Sequence, residues 1–277
     1  MSNYLLFNGE FHNASSLLIS PSNSGFRFGE GLFETIRITD GKAALLSFHF
    51  ERLLKGLQVL EWKVPMHFTL DYIEQQVQLL LSRHEYSRAR VRLTVFSSAE
   101  SLVEQQPGFN WVLQCYPLDK AYFQWNEQGY RVDIAEGIFK SNDALSNLKT
   151  NNYLPFVMAS RQAAHKGLHD MLITNTAGNI IESSIANIFI VKDEKILTPP
   201  LPDGPVAGVM RRYLLKNLPS QGWEVKENSL QVNDLLNADE LFLTNALFGI
   251  RWVASFRQKL YGKRISGLVY STLINNM

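Results

Sequence analysis

Cysteine is nearly absent from this chain of 277 residues, where Cys115 stands alone. One thiol has no intrachain partner, which excludes a disulfide framework and a cysteine-based metal site and agrees with residence in the cytoplasm. Charge of one sign is also lacking: 27 Lys and Arg face 26 Asp and Glu, a net +1. Nothing therefore favours nucleic acid or an anionic membrane surface as partner. No run approaches the roughly 18 apolar residues of a membrane span. The opening Met1-Ser-Asn-Tyr-Leu-Leu-Phe-Asn-Gly9 has neither a basic region nor a long apolar core, so no secretory leader is expected. The histidines His12, His49, His67, His84, His165 and His169 show no metal-protease spacing. His165 and His169 are four apart, but Gly167 between them ends the helix, and both are expected at the surface. No metal is expected, and no repeat or low-complexity tract interrupts the chain.

What is present is an ordinary globular composition, 45% hydrophobic and 19% charged. Leu32–Thr39 reads as a strand, Asp40-Gly41 as a tight hairpin turn and Ala43–Leu46 as the return. Two helices are predicted near 47–61 and 69–84, the second with Thr69 as its N-cap. From Arg88 to Phe96 the chain alternates cleanly. Ala89, Val91, Leu93 and Val95 take one face, and Arg88, Arg90, Arg92 and Thr94 the other. A strand near 110–116 follows. The segment 118–130 reads as a crossing into a second half, which opens with a strand near 131–136. A helix is predicted over about 151–166, stopped near Gly167. Short strands then cover 170–174, 180–181, 185–191 and 195–198. The loop Gly204-Pro-Val-Ala-Gly208 leads into a helix ending before Pro219, and further strands cover 240–244 and 249–253. Strands dominate with helices interspersed. The class is α+β in two domains: 1–117, a linker at 118–130, and 131–277. A site at the domain junction is the default expectation.

Several residues carry chemistry only in combination. Lys149, in Asp143-Ala-Leu-Ser-Asn-Leu-Lys-Thr-Asn-Asn-Tyr-Leu-Pro155, reads alone as a surface lysine. Glu182, thirty-three residues on, reads alone as a solvent-facing strand glutamate. Together, a lysine opening a helix and a carboxylate in an apolar strand suggest a covalently held aldehyde cofactor, with the carboxylate holding a ring nitrogen protonated. The loop ending at Gly208 exposes backbone N–H groups that suit a phosphate. Arg52 offers a bidentate phosphate ligand, though helix-surface arginine is commoner. Arg88, Arg90 and Arg92 fit a carboxylate-rich substrate and equally a solvated sheet face. Thr244-Asn245 by itself reads as a turn.

The order of these elements matters more than any one of them. Phe28-Gly-Glu-Gly-Leu-Phe-Glu-Thr-Ile-Arg37, His49-Phe-Glu-Arg-Leu53, Leu148-Lys149, Glu182-Ser-Ser-Ile-Ala-Asn-Ile-Phe189, Gly208-Val-Met-Arg211 and Thr244-Asn-Ala-Leu247 follow one another as they do in one family. From Phe26 to Val253 the chain resembles the fold-type IV pyridoxal-phosphate enzymes. These include branched-chain and D-amino-acid aminotransferases and 4-amino-4-deoxychorismate lyase.

The resemblance implies a small N-terminal α/β domain, a larger β-rich C-terminal domain with pyridoxal 5′-phosphate between them, and a homodimer. It implies that Lys149 carries the Schiff base and moves the substrate's α-proton, and that Glu182 pairs with the ring nitrogen. Arg52, the Val209 and Met210 backbone and Thr244 would hold the phosphate, and Tyr153 would reach the phenolic oxygen. Arg92, Asn245 and Phe28 are the implied substrate contacts. Thr35 and Asn245 match the lyases, where branched-chain aminotransferases usually have glycine and Thr-Gly-Thr-Ala. The lyase reading gives pyruvate and 4-aminobenzoate for folate synthesis, with Thr35 assisting proton transfer. The alternatives are a branched-chain or D-amino-acid aminotransferase and, more remotely, a cofactor-binding protein without turnover.

Overall fold

The computed structural model describes residues 4–101 and 107–275. The chain divides into two compact units: one runs to Asp119 and takes in Leu148–Asn152, the other comprises Lys120–Asn147 and everything from Tyr153 on. The expected boundaries shift in two places. The stretch 118–130 is not a separate linker, because from Lys120 it belongs to the second unit. There Arg251 donates to the Gln124 and Ala121 carbonyls, 2.6 Å each. Leu148–Asn152, which carries Lys149, joins the first unit.

The first unit is built on one antiparallel sheet. Its strands are β1 (Tyr4–Phe7), β2 (Glu10–Asn13), β3 (Gly31–Thr39), β4 (Lys42–Ala43), β5 (Ala89–Ser97) and β6 (Phe109–Pro117), in the order β2-β1-β6-β5-β3-β4. Its helices are α1 (Ser24–Phe28), α2 (Leu46–Val59) and α3 (Leu70–His84). Asp40 and Gly41, with φ of 48° and 75°, close the β3–β4 hairpin as a two-residue turn. Thr69 caps α3 by accepting the Tyr72 N–H at 3.2 Å. Alternation in β5 sends Ala89, Val91, Leu93 and Val95 into a core with Ile36 and Ile38 of β3, Leu53 and Leu57 of α2, and Val77 and Leu80 of α3. The opposite face keeps Arg90, Arg92 and Thr94 at least partly open to solvent.

The second unit holds the larger, mixed sheet. Strands β7 (Tyr130–Lys140), β8 (Asp170–Asn175), β9 (Ile180–Ser183), β10 (Asn187–Lys192), β11 (Lys195–Thr198), β12 (Val225–Glu227), β13 (Glu240–Asn245) and β14 (Gly249–Phe256) run in the order β12-β11-β10-β13-β14-β7-β8-β9, and β15 (Lys259–Leu260) pairs β14. Strand β9 returns to β10 through Asn187 opposite Glu182, so the sheet closes on itself. Helices α4 (Leu154–His165), α5 (Val209–Asn217), α6 (Val232–Leu236) and α7 (Arg264–Val269) complete it. Helix α4 begins at Leu154, three residues after the predicted start, with Pro155 in its first turn where the missing N–H costs nothing. Lys149 therefore precedes the helix rather than opening it. The far end follows the sequence. Gly167 takes φ 63° while Leu168 N–H bonds the Ala163 carbonyl at 2.9 Å and Gly167 N–H that of Ala164 at 3.2 Å, a Schellman closure. Among the described residues no helix is long and apolar enough to cross a membrane.

Candidate active site

Lys149 is fixed in the first unit by an added strand-like pairing. Phe33 N–H bonds the Lys149 carbonyl at 2.9 Å, Asn151 N–H bonds the Gly31 carbonyl at 2.8 Å, and Thr150 pairs with Leu32. The approach requires glycine at Gly31, where a Cβ would lie 2.7 Å from the Val95 carbonyl and run into the Asn151 amide. The Lys149 ammonium lies 4.4 Å from the centre of the Phe33 ring, and the Arg92 guanidinium carbon 3.8 Å from it. Thr35 is two residues beyond Phe33 on the same side of β3 and faces Arg92 across the ladder. Lys149, Thr35 and Arg92 are thus gathered at one face of this sheet, with Phe33 as their apolar floor. Sequence reasoning gave Phe33 no role, because one aromatic in an apolar strand looks like core. Phe28, at the end of α1, is 40% exposed with the Arg27 guanidinium packed over its ring. Arg88 pairs with exposed Asp40, and Arg90 lies over the Tyr116 ring.

Arg52 belongs to a buried cluster on the helix-covered side of the same sheet. Its Nε donates to Glu34 Oε1 at 2.8 Å and an Nη to Oε2 at 2.5 Å, while His49 Nδ1 donates to Oε2 at 2.6 Å. Glu34 and His49 are 2% and 1% exposed. Burial alone would push the Glu34 carboxyl up, but the Arg52 charge and the His49 bond overcome it and hold it down to about 2. Burial pushes the His49 imidazolium below its ordinary range, and the Arg52 and Lys149 charges act the same way. The ring is therefore neutral at pH 7, donating from Nδ1. Glu34 and His49 lie inside two of the matched motifs, and their spacing gave no sign that they meet at Arg52.

In the second unit a row of polar side chains crosses three strands. Glu182 on β9 stands opposite Asn187 on β10, and Asn187 opposite Thr244 on β13. Glu182 is 3% exposed and lies across from Ile173, whose cluster includes Phe156 and Ala159 of α4 and Val206. Its Oε2 accepts the Val206 N–H at 3.0 Å and its Oε1 the Lys140 ammonium at 2.5 Å. Asn187 Nδ2 donates to the Val206 carbonyl at 2.9 Å. The loop before α5 is thereby tied to both side chains. Gly204 in that loop has φ 96°, and a Cβ there would lie 2.7 Å from the Ser141 carbonyl. A Cβ at Gly208 would overlap the Asn187 amide oxygen. Gly208 is the N-cap of α5 and supplies no side-chain cap, so the Val209 and Met210 turn presents backbone N–H groups. Arg211 is buried and donates to the Pro199 carbonyl and to Glu227, outside that turn.

Tyr153, the residue before α4, stacks on Phe156 with ring centres 4.4 Å apart, and its hydroxyl donates to the Ser184 carbonyl at 3.4 Å. Asp170 Oδ1 accepts from the Ser184 N–H and hydroxyl and holds the turn after Glu182. Burial pushes the Asp170 carboxyl up. Asn245 is engaged at both ends: Nδ2 donates to the Ile185 carbonyl at 3.2 Å, and Oδ1 accepts the Leu247 and Phe248 N–H groups at 3.0 Å. Its side chain therefore builds the turn after β13.

These residues fit a phosphorylated pyridine aldehyde. Thr244 Oγ1 is buried without a hydrogen-bond partner on the strand paired with Asn187, and the Asn187 amide lies against Gly208, the cap of α5, whose N-terminal N–H groups and dipole favour an anion. Glu182 presents a buried, oriented carboxylate, the acceptor that a ring N–H requires.

The amino-transferase class IV family pattern matches residues 31–256. The chain is 29% identical to an aminodeoxychorismate lyase of Bacillus subtilis (strain 168), over 98% of this chain and 94% of the relative. It is 28% identical to a putative branched-chain-amino-acid aminotransferase of Methanocaldococcus jannaschii, over 87% and 83%. Its fold resembles that of a branched-chain aminotransferase from Thermoproteus uzoniensis, with a TM-score of 0.88, 21% identity, and 98% and 93% of the two chains covered.

Proposed function

This chain belongs to the amino-transferase class IV family, and we propose that within it the chain is an aminodeoxychorismate lyase, releasing pyruvate from 4-amino-4-deoxychorismate to leave 4-aminobenzoate for folate synthesis. The cofactor of this family is pyridoxal 5′-phosphate, which supplies an aldehyde carbon to take the substrate's amino group and a protonated ring to accept an electron pair. Lys149 would hold the cofactor covalently and would be the base that takes the proton from the substrate carbon bearing the amino group. Glu182 would hold the ring nitrogen protonated. Thr244, the Val209 and Met210 N–H groups and Arg52 would hold the phosphate, and Tyr153 would reach the phenolic oxygen. Arg92 takes a substrate carboxylate, with Phe28 at its edge. A cytoplasmic homodimer is part of the same reading.

One observation carries the lyase over a transaminase. Thr35 places a hydroxyl on the strand face where Lys149 and Arg92 rest on Phe33. A hydroxyl there can pass a proton to the departing enolpyruvyl group, a transfer that a transaminase does not need. Loss of pyruvate leaves an aromatic ring, so no amino acceptor is required. The relative from Methanocaldococcus favours the second reading, a branched-chain or D-amino-acid aminotransferase, whose first proton transfer uses the same lysine. The test is Thr35→Ala. It should slow 4-aminobenzoate formation by about 10²–10⁴-fold, the range for a positioned proton-transfer group, while the cofactor dissociation constant stays within about twofold. An unchanged rate would contradict the assignment.

A further inference from the structure

A carboxylate keeps a ring nitrogen protonated only while it is itself charged and held in one orientation. The Glu182 side chain is 4% exposed, so water does little to keep it charged. Two protein groups act in its place. Lys140, the last residue of β7, brings its ammonium to 2.5 Å from Oε1 and is itself 12% exposed. The Val206 N–H holds Oε2 at 3.0 Å. The lysine also has a fixed seat, its ammonium 5.3 Å from the centre of the Phe156 ring, which in turn stacks on Tyr153.

From this geometry we infer that Lys140 is a positioning residue whose ammonium keeps Glu182 charged and turned toward the ring nitrogen, so that the proton stays on the cofactor ring. The inference rests on the pyridoxal-phosphate reading of the site. Its physical basis is the cost of an unpaired buried carboxylate, which is relieved by taking up a proton. Once Lys140 is made neutral, the nearest proton for Glu182 to take is the one on the ring nitrogen. An ammonium suits this task because it is a compact point charge that engages one oxygen. Each carboxylate oxygen accepts in two directions, so a ring N–H can still be received. Val206 alone does not substitute for the lysine, because a backbone N–H orients the carboxylate without neutralising it.

The test uses the full-length protein loaded with ¹⁵N-labelled pyridoxal phosphate, reading the ring-nitrogen chemical shift at neutral pH in the wild type, K140M, K140Q, K140R and E182Q. The wild type and K140R are expected at the pyridinium position. K140M and K140Q should move to the pyridine position while still binding cofactor through the phosphate contacts. Turnover should fall roughly 10–100-fold in both neutral variants, the range for groups that orient a ligand. K140Q keeps a donor without the charge, so it separates charge from hydrogen bonding and serves if K140M does not fold. A pyridinium signal in K140M or K140Q, with E182Q shifted, overturns the role of Lys140 and leaves that of Glu182 standing. An unshifted E182Q overturns the reading of Glu182 itself. A pyridine signal in K140R shows that a cation at this position is insufficient and overturns the charge argument.

Discussion

At the scale of single residues, the Glu34–His49–Arg52 cluster is the most demanding arrangement in the first unit. A charged carboxylate sits on the face of β3 that otherwise supplies Leu32, Ile36 and Ile38 to the core. Such a group is stable only with its partners in place. Glu34 is held at about 2 in the fold against an ordinary value of 4.5. Its contribution is complete above pH 4.5 and is lost as pH falls toward 2. The gap corresponds to about 3 kcal/mol. His49, pushed below 6.5, adds to the loss in the same direction. The unfolded chain binds the His49 proton first as pH drops through 6.5. Glu34→Gln should therefore cost about 3 kcal/mol at pH 7 in urea unfolding, in line with breaking a buried ion pair. It should also flatten the stability profile between pH 4.5 and 2. Profiles that run parallel for the two proteins would show that Glu34 is not the group titrating. Because Glu34 grips both Nε and an Nη of Arg52, the same cluster sets the direction of the guanidinium proposed to meet the phosphate.

At the scale of elements, the site is made by close backbone approaches that depend on glycine. Gly31 admits the Lys149 strand segment against β3, and Gly208 admits the start of α5 against Asn187. A methyl group at Gly208 displaces Asn187, which holds the Val206 carbonyl, and Val206 N–H holds Glu182. Gly208→Ala should thus disturb both the phosphate turn and the ring-nitrogen partner. Overpacking of this kind costs about 1–3 kcal/mol, which, if carried into binding, is roughly a fivefold to 150-fold rise in the cofactor dissociation constant. Gly262→Ala is the control, since a Cβ there meets nothing nearer than 3.7 Å. Equal cofactor affinity in the two variants, measured by fluorescence titration, would contradict the account of the loop.

At the scale of the whole chain, each unit carries its own sheet and core. Lys149 and Glu182, the two residues most legible in the sequence, belong to different units. The alternation in β5, the Asp40-Gly41 turn, the Thr69 cap and the Gly167 stop were readable because each follows a local rule of period or φ. Three features were not. Lys149 reads as opening a helix because helical residues follow it, whereas pairing with β3 holds it extended and α4 starts at Leu154. Lys140 carries no mark in sequence, since only strand register brings it to Glu182, forty-two residues away. The short strands β1 and β2 lack the length for a periodic signal. The proposed choice of substrate rests on few side chains, of which Thr35 is the most telling. The most direct measurement is the release of 4-aminobenzoate and pyruvate from 4-amino-4-deoxychorismate by the cofactor-loaded protein, with no keto acid present. Equal amounts of the two products are expected over many turnovers. No release, together with a cofactor absorbance that changes on adding an amino acid and recovers on adding a keto acid, would contradict the lyase and make the chain a transaminase.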